Sequence, residues 1–182
     1  MRTRGIYIFT GIILIICAIG ANAELQPIKH NGLYLGFGIG FGGGQIKLDN
    51  FDASSNRENG LSINLRIGGS LNPQVLLGAE IDAWRKEENG VAIQFNNYAA
   101  CISYYVSQGF FIKGGPALSI VAAEAYGSSD SESGSGFTIG TGYEIRTGSK
   151  FALVPSFQYI YQDMDGYSTN FYSLLLNFNW FW

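Results

Sequence analysis

Hydrophobic and polar positions alternate along most of this chain, most cleanly in its last twelve residues. Tyr172, Leu174, Leu176, Phe178, Trp180 and Trp182 share one parity and are all apolar or aromatic. The other parity holds Phe171, Ser173, Leu175, Asn177, Asn179 and Phe181, with its polar residues in the middle. Successive side chains of a strand point to opposite faces, so this stretch predicts a strand with one unbroken apolar face. That face must meet either the protein's own core or lipid.

Seven earlier stretches carry the same pattern. In Gly32–Gly42, Leu33, Leu35, Phe37, Ile39 and Phe41 oppose Tyr34 and a row of glycines. In Leu61–Leu71, Leu61, Ile63, Leu65, Ile67 and Leu71 oppose Ser62, Asn64, Arg66, Gly68 and Ser70. The third strand sets Val75, Leu77, Ala79, Ile81 and Ala83 against Leu76, Gly78, Glu80, Asp82 and Trp84. The fifth sets Phe110, Ile112, Pro116, Leu118 and Ile120 against Phe111, Lys113, Gly115, Ala117 and Ser119. The sixth sets Phe137, Ile139, Thr141, Tyr143 and Ile145 against Thr138, Gly140, Gly142, Glu144 and Arg146, and the seventh Leu153 to Tyr161 against Val154, Ser156 and Gln158. The fourth is less regular. Gln94 and Asn96 precede the apolar set Tyr98, Ala100, Ile102 and Tyr104, which reads as a bulge near Asn96-Asn97 or a loop reaching about Phe95.

Connections alternate in length. Asn72-Pro73, Ser107–Gly109 and Thr147–Ser149 are short turns, whereas Lys47–Gly60, Arg85–Gly90, the Ser-rich acidic tract within Ala123–Gly136, and Gln162–Asn170 read as polar loops. Eight strands of about ten residues, with long connections at one end only, predict an all-β, antiparallel, up-and-down transmembrane barrel with short periplasmic turns and longer extracellular loops.

Composition agrees. Charged residues are 14%, against about 25% in ordinary soluble domains; glycine contributes 25 positions and aromatics 15%. The chain opens with Arg2 and Arg4, an apolar run from Ile6 to Ile19, and Ala21-Asn22-Ala23. That is the pattern of a secretory signal, and the run falls short of the roughly 20 residues a spanning helix needs. Residues 1–23 are therefore expected to be cleaved, leaving a barrel domain over 24–182. Cys17 follows a bulky Ile16, which weighs against a lipoprotein signal. Cleavage removes two arginines and no acids, turning a formal charge of −3 into −5. Such acidity argues against a nucleic-acid surface. Cys101 would be the remaining cysteine, so no internal disulfide is expected.

Alternation alone does not separate a lipid-facing barrel from a soluble, lipocalin-like one. The charges do. Arg66, Glu80, Asp82, Lys113, Glu144 and Arg146 all lie opposite the apolar parity, three of each sign, among small residues. An eight-stranded interior is just wide enough to be filled by side chains, and a balanced set can pair there. The Asn72-Pro73 turn is expected to set Arg66 within reach of Glu80 and Asp82 as a buried ion pair. Tyr34, Trp84 and Phe111 would help fill the lumen, so little conductance is expected.

Gly32-Leu33-Tyr34-Leu35-Gly36-Phe37-Gly38, Phe111-Ile112-Lys113-Gly114-Gly115 and the terminal strand resemble small outer-membrane barrels of the OmpA/OmpX type. Such barrels carry a C-terminal assembly signal, and the resemblance implies that Tyr172, Leu174, Leu176, Phe178, Trp180 and Trp182 form it, with Trp182 where the family typically ends in Phe. It further implies a monomer in lipopolysaccharide-containing membrane, handled by the barrel-assembly machinery, with loops offered to an extracellular ligand. Members serve as adhesins, complement-resistance factors or small pores.

Other motifs add little. Gly38-Ile39-Gly40-Phe41-Gly42-Gly43 matches a dinucleotide fingerprint but lies within one strand, not between strand and helix. The sole histidine, His30, precedes the first strand with no strand-borne serine expected beside it, which disfavours a lipid-modifying hydrolase. Cys101 points inward near Lys113 as a small filler. Asp163-Met164-Asp165-Gly166 lacks the remaining ligands of a calcium loop and reads as a turn. No catalytic, cofactor or metal residue is expected; a narrow pore, a lipid A-modifying enzyme and a periplasmic lipocalin-like barrel are the alternatives to a surface-interaction protein.

Overall fold

A computed structural model describes residues 30–48, 55–125 and 128–182. The export signal expected over residues 1–23 and the middle of the first loop lie outside the described residues.

Eight antiparallel strands close into a barrel: β1 (Leu33–Leu48), β2 (Glu58–Asn72), β3 (Val75–Glu88), β4 (Val91–Tyr105), β5 (Phe110–Ala125), β6 (Ser128–Tyr143), β7 (Phe151–Met164) and β8 (Tyr167–Phe181). A two-residue continuation of β6, Ile145–Arg146, pairs with β7. Each strand pairs with its neighbour in sequence, and β8 pairs with β1 from Tyr34↔Phe181 to Leu48↔Tyr167. Closure leaves no sheet edge around the middle of the barrel, which hydrocarbon would otherwise penalise.

The strands are longer than their apolar stretches. β3 and β4 meet at a two-residue hairpin, Asn89-Gly90, with φ of 52° and 79°, so Arg85–Glu88 is strand and not loop. Both central residues of that tight turn need the left-handed region, which Asn and Gly tolerate. β7 and β8 likewise meet at Asp165-Gly166, and most of the expected loop Gln162–Asn170 is paired strand. Leu48 still belongs to β1 and Glu58–Gly60 to β2. The Ser-rich tract is strand and not loop: Ser128–Gly134 is held in register against Ser119–Ala125 of β5. No bulge interrupts β4, whose register with β3 runs continuously from Glu88↔Val91 to Val75↔Tyr104.

One physical cause accounts for all these differences. Above a common level the outward residues turn polar: Gln45 and Lys47 follow Phe41, Asn96 and Gln94 lie beyond Tyr98, Glu124 beyond Ile120, and Ser135 and Ser133 beyond Phe137. Below it the outer wall is apolar, with Leu35, Phe37, Ile39, Leu65, Ile67, Ile102, Ile112, Leu118, Ile139 and Leu176 all exposed. The strands continue past this apolar band at the loop end, where an outward polar residue costs nothing. The hairpin of β5 and β6 reaches furthest, since β6 gains its β7 partner only from Ser135↔Asp163 downward.

The interior is layered. At the turn end Tyr34, Leu76, Tyr105, Phe111, Ala152, Val154 and Phe181 form one buried cluster. At the loop end Trp84, Phe95, Val121, Ile160, Met164 and Phe171 form another. Between them lies a polar layer.

Candidate functional site

The middle layer contains four of the six charges expected to face inward. Arg66, Glu80, Asp82 and Lys113 are all at most 6% exposed. Arg66 stands directly opposite Glu80 in the β2–β3 register, as expected from the turn. The ion pair, however, is made by Lys113 of β5 with Glu80 of β3, over the intervening β4. Gln158 then links the two carboxylate systems, its Oε1 accepting from Lys113 Nζ at 3.1 Å and its Nε2 donating to Asp82 Oδ1 at 2.6 Å. Asn64 Nδ2 donates to Asp82 at 2.6 Å. Among the described residues Arg66 makes no ion pair; its side chain lies beside Gly36, where a Cβ would stand 2.7 Å from Arg66 Cγ. Cys101 is buried with Ala99 and Ala117 as a small filler, diagonal to Lys113, whose direct partner is Ser103.

The remaining two charges belong to a separate group at the turn end. Glu144 is buried and accepts from Tyr105 Oη at 2.5 Å and from Arg146 Nε, while His30 Nε2 lies 3.0 Å from the same carboxylate. His30 Nδ1 is 3.0 Å from the carbonyl of Pro73, so both ring nitrogens face oxygen acceptors. The imidazole is 1% exposed and its centroid is 4.0 Å from that of Tyr105. Arg146 lies over Phe181 at 3.7 Å from the ring centroid. His30 thus corks the turn-end mouth, a role that no periodicity announces because it precedes the first strand. A serine does lie beside it, contrary to expectation: Ser70 Oγ donates to the His30 carbonyl at 2.6 Å. That bond uses the backbone and leaves the ring without a nucleophile partner.

At the loop end the aromatic slab is the floor of an open vestibule. Trp84 stacks on Phe95 with centroids 4.9 Å apart, and Trp84 Nε1 donates to the Gly42 carbonyl at 3.0 Å. Glycine is needed at positions 44 and 60, where a Cβ would stand 2.8 Å from the Phe95 ring and 2.7 Å from the Trp84 ring. Above them is a cavity of about 240 Å³ whose lining includes Ile46, Val91, Ile93, Glu58, Lys86 and Glu88. Lys86 Nζ lies 2.6 Å from Glu58 and 2.5 Å from Glu88. Those hydrogen bonds, Glu58 first, hold the ammonium above its ordinary value, and Lys86 in turn holds the Glu88 carboxyl below the usual range. On the facing hairpin Glu132 is a neighbour of Tyr167; burial first, then the Glu132 carboxylate, push the phenol up to about 12.

The loop end as a whole is acidic. Beyond the apolar band the described residues include Glu58, Glu87, Glu88, Glu124, Asp130, Glu132, Asp163 and Asp165 against Lys47, Arg57, Arg85 and Lys86. Asp163 is a strand residue of β7 paired with Ser168, Asp165 lies in the β7–β8 turn, and no group of three or more metal-binding side chains occurs among the described residues. The even residues of β8 face outward, with Leu174, Leu176, Trp180 and Trp182 exposed and Tyr172 and Phe178 partly so.

The family model for the outer membrane protein beta-barrel domain matches residues 12–180. Comparison with curated proteins finds no match by sequence. Among solved structures, Neisserial surface protein A is similar at a TM-score of 0.65 with 14% identity, over 84% of this chain and 98% of that one. OprG of Pseudomonas aeruginosa gives 0.53 and 14%, over 85% and 97%. Ail, the attachment invasion locus protein of Yersinia pestis, solved in complex with the heparin analogue sucrose octasulfate, gives 0.52 and 17%, over 82% and 99%.

Proposed function

The chain belongs to the outer membrane protein beta-barrel family and resides in the outer membrane, and from that premise we propose that it is a non-enzymatic surface protein whose loop end engages extracellular partners. The observation that carries this reading is the contrast between a lumen closed by two side-chain clusters and strands that continue beyond the apolar band. A conduit needs the opposite arrangement. A hydrolase needs a nucleophile and base in contact, and the ring of His30 is committed to Glu144 and Pro73.

The hairpin of β5 and β6 is the part best placed for contact. Ser128–Gly134 pairs with β5 on one side only, leaving a row of backbone groups open to an extended partner segment. The outward face of β8, ending at Trp182, supports the reading of that strand as the signal read during assembly. Ail was solved with a polysulfate, yet the acidic loop end here would repel such a polyanion, so that ligand does not carry over.

Two measurements test the proposal. The refolded protein in planar bilayers should give no steady conductance, and a stable open channel would replace this reading with the pore. Cells displaying the protein should attach to host or neighbouring cells, and trimming Ala123–Gly134 to a two-residue turn should abolish attachment while leaving the heat-modifiable folded band intact. Equal attachment by trimmed and full-length protein would remove the hairpin from the function.

A further inference from the structure

We propose that the loop-end vestibule is a binding site for a small hydrophobic cation, an aromatic or short alkyl body carrying a primary or quaternary ammonium. The site is independent of the hairpin edge, because it opens on the inward side of the strand extensions.

The cavity supplies the apolar half. Its volume of about 240 Å³ sits on the Trp84–Phe95 stack, between Ile46, Val91 and Ile93. Ligand sites for drug-sized molecules span about 300–1,000 Å³, so this one suits a single ring or a short chain. The floor is rigid: Trp84 is tied to the Gly42 carbonyl, and both rings are almost fully buried, with Ile46 and Ile93 packed against their cluster. A ligand seated above this floor exchanges water against the partly exposed side chains of Ile46, Val91 and Ile93 without first having to open a core.

Charge selects which apolar ligand enters. Lys86 stands against two carboxylates in the cavity lining, Glu58 and Glu88, leaving an excess of negative charge. The facing wall adds to that excess. Glu132 pairs with Val121 and Asp130 with Ala123, which places both acids on the parity that looks into the mouth. Glu58 and Glu88 keep half or more of their side-chain surface in water, 50% and 63% exposed, so they can turn toward an incoming ammonium without leaving solvent. A cation would share these oxygens with Lys86; an anion of equal shape would meet net repulsion over the same floor. Attraction among such wet groups is modest and screened by salt, so it discriminates between ligands more than it binds them.

The experiment follows the indole N–H of Trp84 and the amide of Ile93 in 1H–15N spectra of the full barrel in zwitterionic nanodiscs at low salt. Benzyltrimethylammonium is the probe, with benzyl alcohol and benzenesulfonate as its neutral and anionic counterparts. The cation should move both signals saturably, at least about tenfold more tightly than the sulfonate, and raising salt should narrow the gap. The exposed double variant Glu58→Gln with Glu88→Gln should lose about tenfold in cation affinity, and Lys86→Gln should tighten it several-fold. Equal binding of cation and sulfonate would reduce the site to an apolar dimple and overturn the proposal. So would shifts confined to Trp180 and Trp182 on the outer wall, or variants that leave the cation affinity unchanged.

Discussion

The two ends of the lumen are both closed, and they are closed by different physics. At the turn end the cluster around Tyr105 and Phe181 is crossed by directional bonds: Glu144 receives Tyr105, Arg146 and His30, and the other nitrogen of His30 meets Pro73. At the loop end Trp84, Phe95 and Phe171 close the lumen by ring contact, with neutral hydrogen bonds beside them, from the Trp84 indole to the Gly42 carbonyl and from Thr169 through Gln162 to the Asn96 carbonyl. The charged bonds around Glu144 fix one arrangement and leave nothing over for a ligand. At the loop end Ile46, Val91 and Ile93 line an open cavity above the buried rings. The end that offers a surface is also the end that projects beyond the apolar band, which is why function is sought there.

The sharpest way to break this comparison is to remove the acceptor at the turn end. Glu144→Ala leaves Arg146, Tyr105 and His30 without their shared carboxylate, and breaking a buried pair typically costs about 3–5 kcal/mol. Urea unfolding in lipid vesicles should register a loss of that size, with Glu144→Gln falling between. A loss under about 1 kcal/mol would mean that apolar contact, as at the other end, holds the cork.

At the loop end the corresponding test is gentler. Trp84→Phe keeps a ring against Phe95 but deletes the indole N–H that reaches Gly42, so about 1–2 kcal/mol should be lost, from one hydrogen bond and a smaller apolar surface. The two closures also lie in series. Either Tyr105→Ala or Trp84→Ala alone should therefore leave bilayers non-conducting, while the pair together should admit a small current. Conductance from a single variant would show that the closure left intact does not seal the lumen.

Much of the barrel was legible in the sequence because alternation survives wherever lipid lies on one side and packed lumen on the other. Strand number, the inward set from Arg66 to Arg146 and the outward face of β8 all follow from parity. The strand ends did not, because above the apolar band both faces are polar and a paired strand looks like a loop. Asn89-Gly90 and Asp165-Gly166 were the signals that would have corrected this, since such dipeptides mark two-residue hairpins. In β4, Gln94, Asn96 and Tyr98 share one parity, so the change of polarity marks the edge of the apolar band and not a slip. The Arg66 pairing failed for another reason. A turn sets which residues of two adjacent strands face each other, but Lys113 reaches Glu80 over the small inward residues of the intervening β4, a contact between strands that no single turn joins.

The smallest expected effect concerns the vestibule wall, where the Glu132 carboxylate acts on Tyr167. Burial and this carboxylate together favour the neutral phenol, whose folded value of about 12 lies above the ordinary 10. The sign follows directly: a group raised on folding contributes stability that is present below pH 10 and is lost as pH rises through about 12. Glu132→Gln keeps a hydrogen-bonding side chain and removes the charge, so the 13C signal of the Tyr167 ring should titrate closer to 10 in that variant, with no change in the turn-end resonances of Tyr105. A titration unmoved by the substitution would assign the raised value to burial alone. It would also remove Glu132 from the acidic wall that separates this end of the lumen from the corked one.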